Sequence, residues 1–354
     1  MNERIPQVPP VIAALDANES RPLWSVMIPS YNCIRFLRFT LESILAQDPG
    51  KSKMQIEVVD DCSTDGDVGA LVDEIGKGRI AFYRQDINKG SVRNFETCIN
   101  RSTGKLVHLL HGDDAVKVGF YAEIEALFYE FPEIGAAYAR SATIDEKGNE
   151  EREWAANLFP PRGIVDDFLA RIAGFQQLQP PSMVVKRSVY ERLGSFFAVD
   201  YGEDWEMWIR IAASYKVAFS PKCLALYRAG HGTNVTKHSI STGRNIIDIS
   251  RVIDIVQEYF PLNKRKEYKS KAQKNFSNHY ARASVKIYPE NKEIAFVQAR
   301  GALKLDKNLK TFYYIFRLYL LHFGSSLGLK AAKKSLIGSN TIYILMYLND
   351  LYLS

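Results

Sequence analysis

Apolar and polar positions change their spacing several times along the chain. Trp24–Pro29 (WSVMIP) is a short continuous apolar run ending in a turn, which predicts a buried strand. Leu37, Leu41, Ile44 and Leu45 then fall on one helical face. Ile56–Asp60 (IEVVD) is again strand-like, and Leu71, Val72 and Ile75 mark a second helix. Ile80–Tyr83 predicts a strand, Val92–Ile99 a helix, Leu106–Leu110 a strand and Phe120–Phe128 a helix, followed by a strand-like run at Ile134–Tyr138. Strands alternating with helices imply βαβ units and an α/β fold built on a mainly parallel sheet. Ligands of such sheets bind beyond the carboxyl ends of the strands.

The pattern loosens over residues 143–240, which hold Pro160–Pro161 and Pro180–Pro181. One clear helix starts there at Trp205, with Trp205, Trp208, Ile209 and Ala212 on its core face. From about Ile240 helical stripes dominate, broken at Pro261, Pro289 and Gly324. Three parts follow: an N-terminal extension (1–22), an α/β domain (23–240) and a basic, all-helical C-terminal region (241–354).

Charge sharpens this division. Residues 1–239 carry 27 Lys and Arg against 32 Asp and Glu, and residues 240–354 carry 19 against 8. A net −5 thus gives way to +11, within a formal total of +6. The four cysteines, Cys33, Cys62, Cys98 and Cys223, are widely spaced. That argues against a disulfide framework or zinc knuckle and suits a reducing compartment. Residues 1–22 lack the apolar stretch of a secretory signal. The apolar segments Thr311–Phe323 and Thr341–Leu348 are shorter than the roughly 18–20 residues a membrane-spanning helix needs.

Candidate chemistry follows the strands. Asp60 and Asp61, in VVDDCSTDG, end one of them. A carboxylate there can accept from a nucleobase imide or a ribose hydroxyl, or can cap the next helix; one of the two is expected to support and the other to bind. His111–Asp114 (HGDD) ends another strand, and two acids with an imidazole suit Mg²⁺ or Mn²⁺, unless they form a solvated turn. Glu203 and Asp204 begin the Trp205 helix, either as cap or as a general base taking a hydroxyl proton. Asn88–Asn94 (NKGSVRN) places Gly90 and Arg93 at a tight turn into a helix, within reach of a nucleotide. His231 lies in the glycine-rich loop YRAGHGTNVT.

VMIPSYN, VVDDCSTD, NKGSVRN, HLLHGDD and GEDWEMWIRIA, in this order, resemble the family 2 glycosyltransferases over about Trp24 to Thr236. The resemblance implies the GT-A fold, a single Rossmann-like nucleotide-binding domain, and an inverting transfer from a nucleotide-diphosphate sugar to a hydroxyl acceptor. It implies that Pro29, Tyr31, Asp60, Asp61, Asn88, Arg93, His111, Gly112 and Asp113 surround the donor. HGDD takes the place of the family's DXD motif, so Asp113, with Asp114 and His231, would hold a divalent cation, Mn²⁺ or Mg²⁺. Asp204 matches the catalytic base, with Glu203 beside it. One departure stands out: His111 replaces the first DXD acid.

The resemblance further implies a glycan or lipid-linked acceptor, in polysaccharide, lipopolysaccharide or other glycoconjugate synthesis, and a cytoplasmic location, peripheral at the membrane face. The basic region 241–354, with Tyr313, Phe316, Leu320 and Phe323 near Lys310 and Arg317, either meets an anionic membrane surface or packs on the catalytic domain. No nucleic-acid module is present in its pattern. The alternative reading is a non-catalytic nucleotide-sugar or glycan binding module with a degenerate DXD site. A sugar-1-phosphate nucleotidyltransferase would want a glycine-rich phosphate loop where Pro29-Ser30-Tyr31-Asn32 stands.

Overall fold

The computed structural model describes residues 4–16, 19–153, 160–229 and 235–326. Its first half follows the predicted alternation: β1 (Trp24–Ser30), α1 (Ile34–Leu45), β2 (Met54–Asp60), α2 (Val68–Gly76), β3 (Ala81–Arg84), α3 (Ser91–Arg101) and β4 (Leu106–Leu109). Then come β5 (Ala115–Val116), α4 (Phe120–Glu130), β6 (Ile134–Ile144), β7 (Glu150–Glu153), β8 (Gly163–Ile164), α5 (Phe168–Ile172), β9 (Met183–Lys186), α6 (Arg187–Leu193), α7 (Glu203–Ala212) and β10 (Lys216–Arg228). The remainder is helical: α8 (Val235–Thr242), α9 (Arg244–Ile255), α10 (Arg265–Ile287), α11 (Lys292–Leu305) and α12 (Leu309–Ser326).

The strands form one sheet in the order β3-β2-β1-β4-β9-β6-β10-β5, with β7 on β6 and β8 on β10. β3, β2, β1 and β4 run parallel, as do β6 and β10; β9 lies antiparallel between β4 and β6. β1 is buried along its whole length, so it reads as an unbroken apolar run. Its residues still alternate. Val26 and Ile28 face a core with Leu37 and Leu41 of α1, while Met27 faces a second core with Phe95 of α3 and Trp205 of α7.

That second core crosses position 240 without interruption. Ile249, Val252, Phe276 and Tyr280 belong to it, and the Trp205 and Phe276 rings lie 4.9 Å apart. A Cβ on Gly202 would meet Ile249 at 2.7 Å, so the C-terminal helices seat directly on the start of α7. Part of the N-terminal extension is also built in. Ile12 is buried, and the carbonyls of Pro6 and Pro10 accept from Ala198 and Ser195 at 2.8 and 2.9 Å.

The 13-residue β10 had no sequence signature, because Pro221 and Lys222 interrupt its apolar pattern. The ladder to β6 shows a register shift between Ser220 and Cys223, which accommodates them.

Candidate active site

The carboxyl ends of β1, β2 and β4 meet at one edge of the sheet. Asp61 donates its N–H to the Ser30 carbonyl at 2.8 Å, and Gly112 donates to Pro29 at 3.1 Å. Gly112 has no room for a side chain, since a Cβ would stand 2.8 Å from Cys33 Sγ. Tyr31 follows β1 and is 49 % exposed.

The two acids after β2 are divided in labour. Asp60 is fully buried and pairs with Arg84 at 2.5 Å while accepting from Ser63. The Asp61 carboxylate receives the Lys89 and Gly90 N–H groups, each at 2.8 Å, and Asn88 Nδ2 donates to its carbonyl at 3.2 Å. Asp61 therefore folds the Asn88–Gly90 loop against β2. Arg93 pairs with Glu96 one turn along α3 at 2.7 Å.

At the end of β4, His111, Asp113 and Asp114 bring ligand atoms within 4.8 Å of one another. His111 stacks on Phe95 at 5.0 Å, and burial holds its imidazole below the ordinary pKa, in the neutral form that ligates metals. Asp114 is buried; its Oδ1 accepts the Arg228 N–H at 2.9 Å, while Oδ2 has no hydrogen-bond partner among the described residues. Such an oxygen is costly unless something cationic meets it. Burial, and next the Asp113 charge, push its carboxyl well up. One imidazole and two carboxylates, one of them with an oxygen that no described residue meets, fit a divalent cation, and the imidazole favours Mn²⁺ over Mg²⁺. His231 lies outside the described residues.

Glu203 and Asp204 open α7 behind Gly202, whose φ of 86° is the left-handed geometry that favours glycine. Carboxylates in a first helical turn are stabilised by the unpaired N–H groups there. Asp204 Oδ1 accepts the Trp205 N–H at 2.7 Å and Oδ2 accepts from the Gln176 amide. Burial pushes the Asp204 carboxyl up to about 6, and burial, with the Asp204 charge next, pushes the Glu203 carboxyl well above its ordinary value. Trp205 and Trp208 are buried, as their spacing predicts.

Two tyrosines are coupled electrostatically to the acid groups. The Tyr227 hydroxyl feels Asp114, Asp113 and Tyr201, and Tyr201 in turn feels Asp204 and Glu203. Arg4 links the Asn88 loop to the same neighbourhood. It donates to Asn88 Oδ1 at 2.5 Å and acts electrostatically on both Asp61 and Asp200.

Gln176, Tyr201, Arg4 and Arg228 were not singled out by sequence. Arg228 falls inside the YRAGHGTNVT stretch, yet only the fold shows its task. Buried over the Phe36 ring at 4.5 Å, it donates to the Asp113 carbonyl at 2.8 Å and to the Asp145 carbonyl. A groove of about 850 Å³, lined by Leu23, Lys105 and Tyr129, opens at the amino ends of β1 and β4, on the far edge from these acids.

Residues 25–194 match the profile of glycosyl transferase family 2. An uncharacterised protein of Mycobacterium tuberculosis is 27 % identical over 252 residues, covering 68 % of this chain and 77 % of that one. The structure of S. aureus TarS 1–349 with UDP-GlcNAc superposes with a TM-score of 0.61 at 14 % identity, over 78 % of this chain and 79 % of that one. The mannosyltransferase PcManGT of Pyrobaculum calidifontis, with GDP-Man and Mn²⁺, gives a TM-score of 0.53 at 17 % identity, over 97 % and 90 %. At such identities the two structures establish a shared fold. Their likeness, the sheet and the profile match agree: the chain is a glycosyltransferase with the GT-A fold, and its residues 25–194 are a glycosyltransferase family 2 domain.

Proposed function

We propose that the chain transfers a sugar from a nucleotide-diphosphate donor to a hydroxyl of a glycan or lipid-linked acceptor, with inversion, in glycoconjugate synthesis. What supports this reading is the His111–Asp113–Asp114 cluster, whose Asp114 Oδ2 has no hydrogen-bond partner among the described residues, together with its electrostatic link to the Glu203–Asp204 pair through Tyr227 and Tyr201. The donors bound by TarS and PcManGT, UDP-GlcNAc and GDP-Man, give the donor class its precedent.

The roles follow from chemistry. The Asn88–Gly90 loop, held by Asp61 and Arg4, and Tyr31 border the nucleotide. His111, Asp113 and Asp114 would hold a divalent cation, and Arg228 fixes the loop that bears them through the Asp113 carbonyl. A cation held there would supply positive charge beside the departing diphosphate. Asp204 is mostly ionised at neutral pH, close enough to the operating pH to take the acceptor proton. The acceptor oxygen attacks the anomeric carbon from the face opposite the diphosphate, so one displacement inverts the centre.

The test is a thermal-shift panel of nucleotide sugars with Mn²⁺, Mg²⁺ or EDTA, since native-state ligands raise apparent stability by mass action. A matching donor raises Tm more with Mn²⁺ than with Mg²⁺, and Asp113→Ala loses the metal-dependent part. Shifts as large in EDTA as with either metal, in both proteins, refute the cation site. No shift with any nucleotide sugar refutes the donor class.

A further inference from the structure

Helix α12 has two apolar faces. Tyr314, Ile315, Leu318 and Leu321 are buried against the helical region, α10 above all. Leu309, Phe312, Tyr313, Phe316, Leu320 and Phe323 are 39–90 % exposed. At 3.6 residues per turn these six fall within roughly a third of the helix circumference. A contiguous exposed strip of this size marks an interaction surface rather than scattered surface hydrophobics.

Composition and charge say what it meets. Four of the six are Phe or Tyr, the side chains that settle at a lipid–water boundary. Residues 292–326 carry six Lys and Arg against two acids, and Arg317 lies 5.7 Å from the Tyr313 ring, on the border of the strip. No helix among the described residues is long and apolar enough to cross a membrane. An aromatic strip flanked by cations on a helix that does not span is the pattern of an interfacial helix on anionic lipid. We infer that the exposed face of α12 docks this enzyme on an anionic bilayer, with the aromatic strip in the headgroup region and Lys310 and Arg317 at the phosphates. This gives a surface and a lipid chemistry to the membrane-facing acceptor reading above. Lipid docking and donor chemistry are separable, because a chain that floats with vesicles need not hydrolyse a nucleotide sugar, and the converse.

The experiment is flotation of the full chain with phosphatidylglycerol–phosphatidylcholine vesicles and with pure phosphatidylcholine. The variant Phe312→Ser/Phe316→Ser/Phe323→Ser changes exposed positions only, so its Tm and nucleotide-induced shift stay near wild type. Wild type floats with the anionic vesicles and not with the neutral ones. The triple variant loses at least about tenfold in partition, given the apolar area withdrawn. Lys310→Glu/Arg317→Glu loses binding too, and added salt weakens wild type. Any of these results overturns the inference: wild type that does not float, flotation equal on both vesicle types, a triple variant that floats like wild type, or a wild-type dimer that the triple variant splits in sedimentation. A large fall in the triple variant's Tm also overturns it, since the strip would then be covered within the chain.

Discussion

Asp204→Asn lowers turnover by about 10²–10⁴-fold while the affinity for nucleoside diphosphate changes little, the pattern of a lost positioned base. The amide keeps an acceptor for the Trp205 N–H, and α7 is anchored by its tryptophans, so the fold survives the change. Calorimetric nucleotide titration beside single-turnover transfer separates the two effects. The pH dependence gives a second, independent check. Burial holds the Asp204 carboxyl near 6, and only its ionised form can accept a proton. In wild type kcat/KM therefore falls about tenfold per pH unit below 6 and levels off above it. That acid limb is absent from the residual activity of Asp204→Asn. Near-normal turnover in the variant, or the same limb in both proteins, removes Asp204 from the role. Gln176→Ala strips a donor from the carboxylate and moves the limb to higher pH, because a hydrogen bond to the charged form favours it.

Arg210→Met costs about 3–5 kcal/mol of folding stability, because it leaves the Glu206 carboxylate charged in the core. Glu206 is fully buried two residues after Asp204; it accepts from Arg210 at 2.9 Å and from the Tyr259 hydroxyl at 2.7 Å. Arg210 also donates to the Leu193 and Ser195 carbonyls. This network ties α7 to the segment after α6 on one side and to the turn after α9 on the other. The double variant Arg210→Met/Glu206→Leu recovers much of the loss, since an apolar pair of similar volume avoids the burial of charge. Urea denaturation of the three proteins measures both steps. A single variant within about 1 kcal/mol of wild type shows that the pair is dispensable.

These effects concern side chains whose partners lie far off in sequence, and they mark where reading the chain stops. The periodic runs from Trp24 to Tyr138 predicted strands and helices that the structure places within a few residues, because most of these elements are buried on a regular face, the largely exposed edge strand β3 excepted. The Trp205 helix was equally plain, for the same reason. β10 was not, because a bulge lets it absorb residues that break its alternation. The acids at strand ends were legible from their position, yet the pairing of Asp60 with Arg84 and of Asp61 with the Asn88 loop was not.

Local pattern alone thus established the α/β alternation, the acids that close β2 and β4, the acidic start of α7 and the basic helical remainder. Those features depend on neighbours three or four residues away, or on strand pleat, and so are written in short windows. Only the folded chain decided that Arg228 reaches back to Asp113, that Gln176 and Asp204 meet, and that residues beyond 240 share a core with the sheet. It also decided which of the two apolar faces of α12 is spent on packing and which is left for another surface. Burial is a property of what packs across a residue, and its partners here come from tens to more than a hundred positions away.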